Sequence, residues 1–205
     1  MRSFQRSPLA LAILTLLYEA PMHPYRVQQQ IKERDKDRVI NIKHRTGIYQ
    51  TIIQLQRAGL IEVRETSSEE KRPERTIYEL TTKGHQTMLD WMREALAVPA
   101  DEFPDFPAAI SFLPVLSPDD ALCQLEKRAT ALDAKLAQLA PLPSGREEAA
   151  NQLSNIPRLF LLEQEILRVK LEAELKWVRS LISDLRTGKL TWSEAWLRQF
   201  IDPGN

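Results

Sequence analysis

Residues 46–60 read TGIYQTIIQLQRAGL, and this stretch decides the fold. On a 3.6-residue period Ile48, Ile52 and Leu55 share one face, and Gly47, Gln50, Thr51 and Gln54 share the opposite one. The apolar face belongs in a core. The polar face carries amides and a hydroxyl, groups that can hydrogen-bond to base edges in a DNA groove. Thr46 is the expected N-cap, and Gly59 the expected stop after Arg57. Any amphipathic surface helix would show this pattern, so its meaning depends on what flanks it.

Upstream, Ser7-Pro8 starts a helix, a Ser cap with Pro in the first helical position. Residues 9–17, LALAILTLL, make it apolar nearly all round, as a central helix must be. Arg2 and Arg6 ahead of that run imitate a secretory signal, but Tyr18-Glu19-Ala20 makes a poor cleavage site. The run is also too short to span a bilayer, and no other stretch is a transmembrane candidate. A second helix opens at His23-Pro24 and carries Tyr25, Val27 and Ile31. The charge run at 33–37 reads as a loop. Downstream, residues 60–64 and 76–80 alternate as strands do. Between them stands ETSSEEKRPER, a charged, Pro-containing turn. Thr81 or Thr82 then caps a fourth helix with Met88, Leu89, Trp91, Met92 and Leu96 as apolar positions. A helix–turn–helix followed by two strands with a basic tip describes a winged helix.

The prolines at 99, 104, 107 and 114 mark a boundary, with a short helix expected near 108–113. Ser117-Pro118-Asp119 starts a longer one. Its Leu122, Leu125, Ala129, Leu132, Leu136 and Leu139 step as a heptad seam, which requires a helical partner. Ser144–Glu147 has the capping-box pattern. Pro157 stands near the start of a long helix, or kinks one begun earlier. From there Leu159, Leu162, Ile166 and Val169 form one seam, and Leu171, Leu175, Val178, Ile182 and Leu185 a second. Such a helix would be about 45 Å long at 1.5 Å per residue and could serve two partners, one in its own chain and one in another. Gly188 ends it. Thr191 is the expected cap of a last helix holding Trp192, Trp196, Leu197, Phe200 and Ile201. The expected architecture is mainly α: a winged helix-turn-helix N-terminal domain over residues 1–97 and a helical, coiled-coil-like C-terminal dimerisation and effector domain over 98–205.

Composition narrows function. The chain of 205 residues has no net charge. Its charges are split, however: residues 1–98 hold 16 Lys and Arg against 12 Asp and Glu, and the remainder reverses those totals. A basic front suits a nucleic-acid module. Cys123 is the only cysteine, which excludes an internal disulfide and a thiolate cluster and fits a reducing cytoplasm. There is no Gly-rich phosphate loop and no nucleophile elbow. The three histidines lack metal-ligand spacing. No catalytic residue, metal or cofactor is expected, and the chain does not read as an enzyme.

Taken together, LALAILTLL, MHPYRVQQQI, TGIYQTIIQLQRAGLIEV and RPERTIYELTTKG, in this order from Leu9 to Trp91, resemble the PadR family of winged-helix transcriptional regulators. The back half is similar to the longer branch of that family, where helices make the dimer and an effector would be taken up. Many members have His-Gly-Tyr where this chain has His23-Pro24-Tyr25; Pro fits a first helical turn. The resemblance implies a DNA surface made of Thr46, Gly47, Tyr49, Gln50 and Gln54 on the recognition helix and Lys71, Arg72 and Arg75 on the wing. Physical chemistry points the same way. Free N–H groups at a helix start hold phosphate, Gln pairs bidentately with adenine, and wing cations follow the backbone or enter the minor groove. Lys43, His44 and Arg45 precede the helix as phosphate contacts, and Thr51 completes the polar face.

The expected partners are therefore double-stranded DNA, a second copy of the chain through its C-terminal helices, and a small apolar or aromatic effector, with no membrane. Phe160, Trp177, Trp192, Trp196 and Phe200 are the candidates to line the effector pocket. The resemblance implies a cytoplasmic repressor. Two other readings stand beside it: a small-molecule-binding protein whose DNA binding is secondary, and a helical protein-interaction module.

Overall fold

The computed structural model describes residues 6–42, 45–67, 75–139 and 157–201. The chain divides into two compact units, Met1–Glu102 and Phe103–Asn205.

The first unit is built around α1 (Pro8–Glu19). Ser7 caps it, its hydroxyl accepting from the Ala10 N–H at 3.1 Å. Ala10, Ile13, Leu14, Leu16 and Leu17 are buried, which accounts for a helix apolar on almost every side. Packed on it are α2 (Pro24–Glu33), α3 (Arg45–Arg57) and α4 (Thr82–Ala97). His23 caps α2 through Nδ1, which accepts from the Tyr25 N–H at 3.1 Å. Within the charge run, Lys36–Arg38 form a 3-10 turn, and Asp35 ahead of it takes a left-handed backbone.

Strands β1 (Ile61–Ser67) and β2 (Arg75–Leu80) pair antiparallel, from Ile61 opposite Leu80 to Ser67 opposite Arg75. A bulge between Val63 and Glu65 shifts the register once. The pairing is longer than the sequence pattern shows, because alternation stops where both faces of the hairpin meet solvent. Met22, in the turn after α1, bridges Tyr78 through two backbone hydrogen bonds of 3.1 and 3.2 Å and ties the base of the hairpin to the helices. Three helices with a two-stranded wing after the third make this unit a winged helix-turn-helix.

The second unit begins with α5 (Asp105–Ser111), earlier than expected, and a 3-10 turn at Leu113–Val115. Helix α6 (Pro118–Gln138) follows, capped by Ser117. It packs along α7 (Leu162–Arg186). Leu125 and Leu132 of α6 are buried against Leu175, Val178 and Ile182 of α7, so the heptad seam and the second seam meet each other. Charged pairs flank the contact. Arg179 binds Asp133 at 3.0 and 2.8 Å, Arg186 binds Glu126 at 3.2 and 2.5 Å, and Arg128 donates to Glu174. Glu126 and Asp133 are one heptad apart, as are Arg179 and Arg186, so these exposed pairs fix the register more than they add stability.

Three further boundaries differ from expectation. α7 starts at Leu162, after a 3-10 turn at Arg158–Phe160, so its 25 residues span about 37 Å rather than 45 Å. Arg158 holds that turn by donating to both carboxylate oxygens of Glu165 at 3.0 and 2.9 Å. Helix α8 (Glu194–Ile201) is capped by Ser193, whose hydroxyl accepts from the Trp196 N–H at 3.2 Å, and not by Thr191. Thr46 lies inside the first turn of α3, which begins at Arg45. The capping box at 144–147 lies outside the described residues.

Candidate nucleic-acid interface

Helix α3 presents the two faces its sequence specifies. Ile48, Ile52 and Leu55 are 1%, 2% and 0% exposed, inside the core formed with α1. Gln50 and Gln54 are exposed, and Gly47, Tyr49 and Thr51 half-buried. Thr51 turns its hydroxyl onto its own helix, donating to the Gly47 carbonyl at 2.7 Å. Thr46 is exposed in the first turn. The first turn holds no acidic residue, which leaves the positive end of the helix dipole open to an anion.

The carboxyl end of α3 is closed by a Schellman motif. Gly59 takes φ +70°, its N–H donates to the Gln56 carbonyl at 2.9 Å, and the Leu60 N–H reaches back to the Leu55 carbonyl at 3.0 Å. From there the chain runs directly into β1.

The remaining sequence candidates divide. Arg45 opens α3 and Arg75 opens β2, but only their backbone is described. Lys43, His44, Lys71 and Arg72 lie outside the described residues. The structure thus brings Thr46, Gly47, Tyr49, Gln50, Thr51 and Gln54 together on α3. It also reveals a group that sequence reading missed. Thr81 and Lys83, at the start of α4, donate to the carbonyls of Gly59 and Ala58 at 2.9 and 2.7 Å. The signal was the Thr cap followed by Lys at a helix start, where a cation opposes the dipole and so calls for another partner.

Two apolar clefts could take small molecules. One, in the first unit, has a volume of about 360 Å³; Leu11, Leu16, Ile31, Val39, Ile40 and Met92 contribute to its walls. At its edge Arg34 grips both carboxylate oxygens of Glu19 at 2.7 and 2.6 Å. Those hydrogen bonds, opposed by slight desolvation and aided by Coulomb attraction, hold the Glu19 carboxyl below the usual carboxylate range. The other cleft, about 420 Å³, lies in the second unit between α5 and α6. Arg128 sits 3.4 Å over the Phe106 ring there. The five aromatic effector candidates do not themselves line this cleft. Trp177 meets Phe106 edge-on at 6.0 Å, and Trp192 donates from its indole to the Leu116 carbonyl at 2.9 Å, so both touch its walls. Phe160 and Trp196 are exposed, and the Phe200 side chain lies outside the described residues. Among the described residues no helix is long and apolar enough to cross a membrane, and no group of three or more His, Cys, Asp or Glu could hold a metal ion.

A three-helix core, an exposed polar third helix and a strand-paired wing define the winged helix-turn-helix class of DNA-binding domains. Residues 13–90 match the sequence profile of the transcriptional regulator PadR-like family. The match lies within the N-terminal unit, which is thus a PadR-like winged-helix domain. No curated protein matches the chain in sequence. Among solved structures, Bacillus subtilis PadR in complex with operator DNA is similar, with 22% identity, 87% of this chain and 99% of that chain covered, and a TM-score of 0.63. The same B. subtilis protein in complex with p-coumaric acid gives 22% identity, 87% and 98% coverage and a TM-score of 0.63. A PadR-like transcriptional regulator from Bacillus cereus is 15% identical, with 90% and 99% covered and a TM-score of 0.56. At these identities the solved structures establish the fold.

Proposed function

We propose that this chain is a homodimeric, cytoplasmic repressor that binds a pseudo-palindromic operator and is released by a small apolar or aromatic effector. Residues 1–97 form the DNA-binding domain in this reading, and 98–205 the dimerisation and effector domain. The observation that carries it is the two-faced α3: Ile48, Ile52 and Leu55 in the core, Gln50 and Gln54 in solvent. Gln50, Thr51 and Gln54 read base edges. Thr46, Gly47 and Tyr49 contact phosphates together with Lys43, His44 and Arg45, and Lys71, Arg72 and Arg75 carry the wing along the backbone.

Dimerisation rests on α7. Its second seam is buried on α6, while Leu162, Ile166 and Val169 of the first are 44%, 51% and 58% exposed. A second copy covering that seam places two reading helices on one duplex. Half-site centres then lie about one helical turn, roughly 10 base pairs, apart or a multiple of it. The effector acts by preferring one arrangement of the two winged helices, since equal affinity for both shifts nothing. The cleft bordered by Trp177 and Trp192 is its site in this reading. B. subtilis PadR was solved with p-coumaric acid, and a small aromatic acid is the class to test first.

Selection of bound fragments from a random DNA pool tests the proposal. A recurring inverted motif, bound with an affinity that falls steeply with salt as counterions are released, is the expected outcome. An unchanged random pool after several rounds refutes it. Quenching of Trp177 and Trp192 fluorescence by an aromatic acid, with concurrent loss of the operator complex, is expected of the effector; quenching without release assigns the cleft a role apart from DNA.

A further inference from the structure

Three successive carbonyls leave the end of α3, and each accepts a hydrogen bond from the start of α4. Lys83 Nζ donates to Ala58 at 2.7 Å, Thr81 Oγ1 to Gly59 at 2.9 Å, and the Thr81 N–H to Leu60 at 3.2 Å. The Thr81 hydroxyl also caps α4, accepting from the Gly84 N–H at 2.9 Å. One oxygen thus joins the end of one helix to the beginning of the next. Gly84 makes the approach possible: a Cβ there would stand 1.9 Å from the Leu60 carbonyl oxygen and 2.8 Å from its carbon.

Lys83 has no reason to sit where it does on account of α4 itself. It lies in the first turn, where the helix dipole disfavours a cation. Its ammonium is placed instead at the negative end of α3, on the Ala58 carbonyl just past the last helical residue, which the Schellman bonds to Leu55 and Gln56 leave unused. The buried face of α3 holds the helix by apolar contacts, which resist withdrawal more than they resist tilting. Directional bonds at one end supply the missing constraint.

We infer that Lys83 and Thr81 are positioning residues for DNA reading: they pin the carboxyl end of α3 to α4 and so fix the angle at which Gln50 and Gln54 enter the groove. The inference rests on the reading of α3 as the recognition helix. It also gives α4 a second task, since any displacement of its first turn is passed to α3 through these bonds.

The test compares the full-length wild type with Lys83→Met and Lys83→Arg on selected operator and on random DNA across a range of salt. Lys83→Met is expected to lose about tenfold in the ratio of operator to random affinity, the scale of one mismatched base pair. Its salt slope stays unchanged, and Lys83→Arg recovers most of the ratio. Amide exchange at residues 58–60 of the free protein is expected to accelerate in Lys83→Met. A Lys83→Met protein that keeps the wild-type ratio overturns the inference, whatever its melting temperature. So does a uniform loss on both DNAs with a salt slope reduced by about one, which would make Lys83 a phosphate contact. A wild type that prefers no DNA at all removes the recognition-helix reading, and the inference with it.

Discussion

The hydroxyl of Thr51 donates to the carbonyl of Gly47, one turn earlier on α3, at 2.7 Å. Its proton is therefore committed, and under the proposed reading of α3 it would meet a base with a lone pair and a methyl group. Gln50 and Gln54, exposed on either side along the helix, keep amide donors and acceptors for bidentate pairing.

The two residue types should then behave differently. Gln50→Ala is expected to cost about 1–3 kcal/mol on the operator and to relax preference at one base pair. Arg72→Ala should weaken all sequences alike and lower the salt slope by about one. Titration of the operator, its single-base variants and random DNA separates these outcomes. Equal effects of Gln50→Ala on operator and random DNA would contradict the base-reading role.

The two seams of α7 invite a paired substitution. Ile166→Glu with Val169→Glu places charges on the exposed seam, and the expected result is a folded monomer by sedimentation velocity with nearly unchanged helix content. Val178→Ala, on the seam buried against α6, removes two methyl groups from a close-packed site. About 1–3 kcal/mol of stability should be lost in urea unfolding, with the dimer retained. A dimer surviving both glutamates would place the interface elsewhere.

Gly84→Ala probes the packing between α4 and the end of α3. With backbone atoms at 1.9 and 2.8 Å from the added carbon, relief must come from movement of whole elements. The expected loss is about 3 kcal/mol or more, measured by thermal or urea unfolding. A melting temperature within a degree of wild type would show that α4 can shift freely from Leu60.

The Glu19–Arg34 pair joins the end of α1 to the end of α2 and gives the first unit a pH dependence of known sign. The native Glu19 carboxyl is held below the usual range, chiefly by its hydrogen bonds from Arg34. Its contribution is thus complete above the unfolded carboxylate pKa and is lost as pH falls through the lower native value. Both side chains are 43% exposed, and solvent screening keeps the contribution to a few tenths of a kcal/mol. Arg34→Met should flatten the acid limb of the urea midpoint plotted against pH and leave the neutral plateau little changed. An unaltered acid limb would assign that limb to other carboxylates.

Much of this architecture was legible because it depends on local signals. Ser7-Pro8, His23-Pro24 and Ser117-Pro118 placed three helix starts to the residue, since cap chemistry acts within one turn. Periodicity separated Ile48, Ile52 and Leu55 from the polar face of α3 for the same reason. Three dimensions decided the rest. Thr191–Glu194 has the capping-box pattern, yet the helix begins at Glu194 and Ser193 caps it. Leu159 continues an apolar seam in sequence, yet the Arg158–Glu165 bonds fold it into a 3-10 turn. The bonds of Lys83 to Ala58 and of Trp192 to Leu116 link residues 25 and 76 positions apart, beyond the reach of any local pattern.

The pairing of α6 with α7 also has a consequence in time. Residues 1–102 close on themselves, so the winged helix can fold as soon as it leaves the ribosome. Helix α6 cannot. Leu125 and Leu132 have α7 as their cover, and Arg128 and Glu174 are separated by 46 residues. At about 5–20 residues per second, that interval lasts on the order of 2–9 s. Throughout it the nascent protein carries a completed N-terminal unit and a Leu125–Leu132 stripe still waiting for its cover from α7.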